Sequence, residues 1–454
     1  MGAAASRSLG ADMAGALLTD LYELNMAASY LRRGMDGLAT FSLYVRGLPK
    51  QRGFLVAAGL EACLDFLETV SFDDDDLTYL SSIGFDERAL EEFRGLRFDG
   101  EVWAVPEGRI VFSEEPILEV TAPVAMGQLV ETYLLNQITL HTTLATKAAR
   151  YVLAANGRDL VDFAFRRTHG TEAAMAIARA SALVGFAATS NVEAARRYGL
   201  TAAGTMAHSF VEAFPSEREA FAAFAEDHPS RTTFLVDTFD TVNGVRNAID
   251  VIRDLALDGR LGIRLDSGDL DVLSRSAREL LDAAGLGEAR IFASGGLDEL
   301  EVAELVRAGA PVDAFGIGTQ MGVSADAPYV DSVYKLTEYD GEPKVKLSSE
   351  KATAPGRKQV WRAAHGDLLT LRDEAGPDGA EPMLAPVMRD GKRLVASPSL
   401  DEAGERFRAD LEGVPAKARR LSHPEHVVVP HSGVLRALTE ATRTEALRRS
   451  KEGA

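Results

Sequence analysis

The sequence predicts an α/β fold that carries its chemistry at strand ends, and three observations support that prediction. From about residue 127 the chain repeats a β-like apolar run, a turn rich in Gly, Ser or Asp, and an amphipathic helix. The repeat is clearest in four consecutive units: 233–237 before a helix near 245–255, 261–266 before 270–284, 290–294 before 298–308, and 312–315 running into Gly316-Ile317-Gly318-Thr319. Each run ends in side chains able to bind anions or move protons. Parallel strands gather such ends on one face, whether the sheet closes as a barrel or stays open and doubly wound. The flanks differ in pattern, which divides the chain into an N-terminal α+β domain (1–126), the repeating region (127–330) and a C-terminal extension (331–454).

In chain order, residues 17–31 and 57–70 show helical spacing, while 40–45 and 110–120 read as β-like. The Asp73 to Asp76 run is a solvated loop or a helix start and is given no function. A strand-like stretch over 160–165 leads into Arg166-Arg167. Beyond residue 330 the periodicity weakens and Pro, Gly and charged residues rise.

Bulk properties narrow the function. At 454 residues and 46% apolar composition the chain fills more than one core. A net charge of −19 argues against nucleic acid and anionic membranes, so a phosphate-bearing substrate needs local Arg and Lys. Cys63 is the single cysteine, which excludes an internal disulfide and fits a reducing, cytoplasmic setting. No apolar stretch is long enough to span a bilayer. Met1-Gly2 to Ser6 matches a myristoylation pattern, but an Ala-rich start produces such a match by chance.

Gly316-Ile317-Gly318-Thr319-Gln320-Met321-Gly322 has the wrong spacing for a dinucleotide loop. Glycines still let backbone N–H groups approach an anion, and Ser294-Gly295-Gly296 offers the same geometry one strand earlier. Alone, each pair is more often a tight turn; two on neighbouring strands favour a phosphosugar. Arg264 and Asp266 stand two apart, on one side of a strand, where Arg264 can grip a carboxylate or phosphate and Asp266 can hold ribose hydroxyls or a magnesium-bound diphosphate. An ion pair closing the strand end is an equal alternative. His208, in Gly204-Thr205-Met206-Ala207-His208-Ser209, follows an apolar segment, and a lone histidine defaults to a structural role. His141, His169, His228, His365, His423, His426 and His431 show no metal-ligand spacing. Lys346, Lys351, Arg357 and Lys358, flanked by Ser348, Ser349 and Gly356, form a basic island that suits a polyphosphate loop or an exposed turn.

This ordered set, from Leu17-Leu18-Thr19-Asp20-Leu21-Tyr22 through Thr189-Ser190-Asn191 and His208 to Lys346 and Arg357, resembles nicotinate phosphoribosyltransferases over residues 16–362. The resemblance implies the type II phosphoribosyltransferase fold, an irregular α/β barrel beside an N-terminal α+β sandwich-like domain, assembled as a homodimer with shared active sites. It implies that Thr205 and Arg264 hold the pyridine carboxylate and that Tyr22 of a partner stacks on the ring. It implies that ATP phosphorylates His208, with Asp237 orienting it and Asp266 catalytic beside it. Gly295, Gly296, Gly318 and Thr319 would cradle phosphoribosyl pyrophosphate. Arg166 would contact substrate, and Arg46, Lys346 and Lys351 the diphosphate or ATP. The chain departs from many relatives at Gly295-Gly296, which leaves only backbone to act there. At Ser190 the nicotinamide-using relative carries Asp, which suits a carboxamide N–H and repels a carboxylate, so a neutral Ser favours nicotinate.

The implied reaction is displacement at the ribose anomeric carbon by the nicotinate ring nitrogen, with magnesium and cations stabilising departing diphosphate and ATP supplying the drive. A nicotinamide phosphoribosyltransferase is the nearest rival. A sugar-phosphate isomerase or synthase explains the glycine turns but not His208 with its basic island, and a non-catalytic nucleotide binder would bind without turnover, although nothing in the sequence marks a lost catalytic residue.

Overall fold

The computed structural model describes residues 15–347 and 353–452, so the Met1–Ser6 pattern, Ser348, Ser349 and Lys351 lie outside the described residues. The N-terminal part supplies strands β1 (Leu38–Val45), β2 (Glu101–Ala104) and β3 (Pro116–Pro123). The repeating region supplies β4 (Asp159–Asp162), β5 (Ala188–Thr189), β6 (Arg231–Leu235), β7 (Arg260–Leu265), β8 (Arg290–Ala293) and β9 (Ala314–Ile317). The C-terminal part supplies β10 (Ser332–Tyr339), β11 (Glu342–Pro343), β12 (Lys358–Ala363), β13 (Gly366–Leu371), β14 (Glu381–Pro382), β15 (Ala385–Arg389) and β16 (Lys392–Arg393).

The six middle strands form a parallel sheet in the order β5-β4-β9-β8-β7-β6. Its first strand pairs with its last, β4 with β9, and every other neighbour is also a neighbour in sequence. A doubly wound sheet reverses direction at a switch point and leaves its outer strands unpaired with each other, so this cyclic order marks a barrel. The barrel is irregular because it does not close completely. A parallel bridge from Thr189 to Ala202 extends the β5 side, and the segment carrying Thr205 and His208 then connects across a gap to β6. Helices Thr241–Asp254, Leu270–Ala283 and Glu299–Arg307 follow β6, β7 and β8, and each is started by an Asp whose side chain accepts from a first-turn N–H: Asp240, Asp269 and Asp298.

A second, antiparallel layer shows how the ends of the chain meet. The seven-stranded sheet runs β11-β10-β1-β3-β2-β15-β16, so strands from beyond residue 331 complete the sheet begun before residue 126. Strands β12, β13 and β14 make a separate small sheet. The β-like run over 110–120 is divided: Ile110–Val111 pairs with Leu55–Val56, and Glu114, at φ +68°, turns the chain before β3. Asp73 begins the Asp74–Ser82 helix with a reciprocal cap from Asp76, the local role open to an acidic run.

The Glu131–Ala155 helix joins the two layers. Leu134 and Ile138 near its start pack in the core of the seven-stranded sheet, and Leu144, Ala148 and Tyr151 further along pack in the barrel core. It has no internal Gly or Pro and stops where Asn156 turns left-handed ahead of Gly157.

Candidate active site at the barrel mouth

Because the six strands are parallel, residues just past their C-terminal ends share one face. The last residues of β7 include Arg264 and the residue past it is Asp266, past β8 lie Ser294, Gly295 and Gly296, and past β6 Asp237 and Thr238. The gap segment brings in Thr205 and His208. These residues are linked side chain to side chain. Arg264 donates from Nε to Ser294 Oγ (2.7 Å), from Nη1 to Thr205 Oγ1 (3.3 Å) and from Nη2 to Asp266 Oδ1. Ser294 in turn donates to the same Asp266 oxygen, and both Arg264 and Ser294 are buried. The guanidinium also lies 5.3 Å from the Phe163 ring centre.

Asp266 is held below the ordinary aspartate range. Burial pushes it up, but the Ser294 hydrogen bond, the Arg264 guanidinium and the nearby His208 outweigh burial. It is therefore a carboxylate at neutral pH, with Oδ1 occupied and Oδ2 3.9 Å from His208 Nε2, beyond hydrogen-bond range. His208 is the first residue of a short helix and is partly open to solvent. Its Nδ1 lies 3.1 Å from Thr238 Oγ1. Asp237, expected to orient the imidazole, is bonded elsewhere: its Oδ2 accepts from the Asp266 N–H (2.9 Å) and Ser267 Oγ (2.7 Å), and its buried Oδ1 has no hydrogen-bond partner. The side chain in contact with His208 Nδ1 is Thr238, so Asp237 acts one step away by fixing the turn that carries Asp266.

The glycine turns are shaped for close approach. Gly295 has φ +108°, and a Cβ there would come 1.8 Å from the Asp266 carbonyl oxygen, so no other residue fits. Gly296, also at positive φ, opens onto free space. Gly318 and Thr319 follow β9, with Gly318 packed near the Phe163 backbone. At the end of β4 the buried Asp162 accepts from Thr189 Oγ1 (2.7 Å) and the Ala164 N–H (2.8 Å), and its carbonyl accepts from the Ser190 N–H (2.8 Å). Burial raises the Asp162 pKa against those two hydrogen bonds. Arg166 lies on an exposed turn past the same strand, with no ion-pair partner among the described residues.

Three predicted residues are not in this cluster within one chain. Tyr22 lines a groove of about 680 Å³ along the Glu131–Ala155 helix, with Glu131, Thr139, His169 and Ser332. Arg46 sits at the end of β1, 3.5 Å from Asp331. Lys346 is exposed on the stretch leaving β11. Of the basic island, Lys358 turns inward, buried 3.0 Å from Glu119, and Arg357 stands 3.5 Å from Glu338. A smaller concavity of about 380 Å³ opens at the opposite end of the barrel between Arg158, Arg278 and Arg290 and holds none of the predicted residues.

Phe163 and Thr238 were invisible as site residues in the sequence; the only available signal was their position one residue beyond Asp162 and Asp237. Ser294 was read as part of a turn rather than as a side-chain partner of Arg264.

Models of known families match three successive parts of the chain: a nicotinate phosphoribosyltransferase N-terminal domain over residues 17–139, the main family over 159–367 and a C-terminal domain over 375–439. The chain belongs to the nicotinate phosphoribosyltransferase family. A nicotinate phosphoribosyltransferase of Mycobacterium tuberculosis is 47% identical over 446 residues, covering 95% of this chain and 96% of its own length. That of Bacillus subtilis is 43% identical over 375 residues, 79% of this chain and 76% of its own. The crystal structure of human nicotinic acid phosphoribosyltransferase superposes with a TM-score of 0.84 at 28% identity, over 93% of this chain and 99% of that one. The expected irregular barrel with flanking N- and C-terminal parts is thus the fold of a nicotinate phosphoribosyltransferase family member. Among the described residues of this family member no three His, Cys, Asp or Glu side chains gather into a metal cage, and no helix is long and apolar enough to cross a membrane.

Proposed function

We propose that the chain joins nicotinate to phosphoribosyl pyrophosphate, giving nicotinate mononucleotide and diphosphate, with ATP hydrolysis coupled through a phosphohistidine at His208. This is the entry step of NAD salvage from nicotinate. The observation that carries the reading is the linked set Arg264, Ser294, Asp266, Thr205 and His208 on adjoining strand ends, beside two glycine turns. Arg264 offers the nicotinate carboxylate a guanidinium over an aromatic face, and a neutral Ser190, where the nicotinamide-using relative carries Asp, adds no negative charge to repel it. The ring nitrogen attacks the anomeric carbon as diphosphate leaves, so no protein nucleophile takes part in the transfer.

His208 suits the coupling role because Nδ1 is held by Thr238 while Nε2 makes no hydrogen bond among the described residues. A phosphoryl group there adds charge and acceptor oxygens beside the glycine turns, altering affinity between turnover states. Magnesium fits as an ion carried by the diphosphate, where it would neutralise leaving-group charge; Asp266 Oδ2 is the carboxylate oxygen at the mouth left open to meet it, since Asp237 Oδ1 is buried. Arg166, Lys346 and Lys351 are the cations for phosphate groups, with Arg46 weaker because of Asp331.

The same reading includes a homodimer with shared sites. Phe165, Val192 and Phe239 are exposed past strand ends on the site face, and Tyr22 is exposed in the groove along the Glu131–Ala155 helix, whose lining does not include Arg264. Product analysis with nicotinate or nicotinamide, phosphoribosyl pyrophosphate, magnesium and ATP tests the reaction, and absence of mononucleotide from nicotinate refutes it. His208→Ala is expected to abolish substrate-dependent ADP release; retained coupling sinks the phosphohistidine. Mixing Tyr22→Ala with Arg264→Ala chains tests sharing: activity regained in the mixture supports it, and none regained removes Tyr22 from the partner's site.

A further inference from the structure

We infer that Ser294 is a positioning residue that sets the preference for a carboxylate-bearing base by locking the Arg264 guanidinium in one orientation. The inference rests on the reading of Arg264 as the carboxylate-binding group. A guanidinium has one N–H on Nε and two on each terminal nitrogen. Ser294 Oγ takes the Nε N–H at 2.7 Å, Thr205 Oγ1 takes one from Nη1 at 3.3 Å, and Asp266 Oδ1 takes one from Nη2. One N–H then remains on each terminal nitrogen. Two donors on neighbouring nitrogens match the two oxygens of a carboxylate; a carboxamide offers one acceptor and a clashing donor pair.

The hydroxyl of Ser294 is what closes this arrangement. It accepts from Arg264 and donates to Asp266 Oδ1 at 2.5 Å, so three groups form a ring of hydrogen bonds on one edge of the guanidinium. Ser294 is buried, and its own N–H is fixed by the Leu265 carbonyl at 2.8 Å, so water has little access to take its place. Removing the hydroxyl frees Nε and lets the guanidinium turn toward Asp266, folding the two spare donors into an internal ion pair. The next residue, Gly295, is pinned against the Asp266 carbonyl, so the backbone has no freedom to compensate. Ser294 acts through Arg264 and does not itself need to touch substrate.

The readout is the ratio of kcat/KM for nicotinate to that for nicotinamide, or of KM for nicotinate to Ki for nicotinamide as a competitor. The fraction of folded enzyme cancels in the kcat/KM ratio and does not enter KM or Ki, so misfolding does not mimic the effect. Ser294→Ala is expected to lower the preference about tenfold, the size expected for one hydrogen bond to a charged group. Ser294→Thr, which keeps the hydroxyl, is expected to restore most of it. An unchanged ratio in Ser294→Ala, or an equal loss in Ser294→Thr, overturns the inference. Arg264→Ala separates the two levels. If its preference is unchanged, the reading of Arg264 falls; if it collapses while Ser294→Ala keeps the wild-type ratio, only the role of Ser294 falls.

Discussion

Ser294 and Glu299 lie on the same connection after β8, yet they belong to two polar clusters built on opposite plans. Glu299 is buried and fully used: it accepts from Lys147 Nζ (2.5 Å) and Arg150 Nε (2.7 Å), while Lys147 also meets Asp326 (2.7 Å) and Arg52 pairs with Asp326. Arg150 spends its other nitrogens on the Gln51 and Leu421 carbonyls. Burial alone would raise Glu299, but Lys147 and Arg150 outweigh it and hold it below the usual range. The mouth cluster has similar chemistry with valences to spare: two N–H on Arg264, Oδ2 on Asp266, Nε2 on His208. Saturated polar groups hold a fold together, whereas unsaturated ones fixed at the barrel mouth are available to a substrate.

The largest effect that would break this contrast is in the saturated cluster. Glu299→Ala leaves two buried cations, Lys147 and Arg150, with Asp326 as their one remaining carboxylate and should cost about 3–5 kcal/mol of stability by urea unfolding. A loss near zero would mean the network is dispensable. Arg264→Ala should show the opposite profile, with kcat/KM for nicotinate down by about 2–4 kcal/mol and an unfolding midpoint that moves less than for Glu299→Ala.

Glu23 sharpens the comparison, because it is buried like Glu299 but has hydroxyls instead of cations for partners. Burial pushes its pKa up to about 7, against hydrogen bonds from Thr19, Thr132 and Tyr22. The folded chain keeps this proton up to about 7, while the unfolded chain loses it near the ordinary value of 4.5. Stability contributed by this group is therefore complete below 4.5 and is lost as pH rises through 7, by roughly 2 kcal/mol. Glu23→Gln should flatten that part of a pH–stability curve, and an unaltered curve would assign the slope elsewhere. The smallest effect belongs to Thr238→Val, which removes one hydrogen bond from His208. A slowing of phosphoryl transfer from ATP to His208 by about 1 kcal/mol, roughly fivefold, is expected by rapid-quench measurement. A rate equal to wild type would return the orienting role to Asp237.

The repeating units were legible because each depends on local pattern: a short apolar run, an Asp cap and an amphipathic helix lie within about 25 residues of one another. Strand ends were legible for the same reason, so Asp237, Arg264, Asp266, Gly295 and Gly318 fall on the face where they were expected. Cyclic closure was not, since the pairing of β4 with β9 leaves no local mark. Lys358 shows the limit most clearly. Beside Gly356 and Arg357 it reads as part of an exposed loop, yet it is buried against Glu119, which also meets Arg372, itself 4.2 Å from the Trp103 ring centre. Its partner lies far away in sequence, and a lone Lys gives no hint of such a pairing. Thr238 was hidden for a different reason: a hydroxyl one residue beyond a carboxylate attracts no attention until the imidazole is seen to face it.

The sheet shared by both ends of the chain has a consequence for synthesis. Strand β1 pairs with β3 soon after both emerge, but its other neighbour, β10, begins at Ser332. At translation rates of about 5–20 residues per second, the roughly 300 intervening residues leave that edge of β1 without its partner for about 15–60 seconds. The barrel strands are made within this interval and can pair among themselves first. The nascent chain thus carries an open strand edge, a template for wrong pairing, until its own last third arrives to cover it.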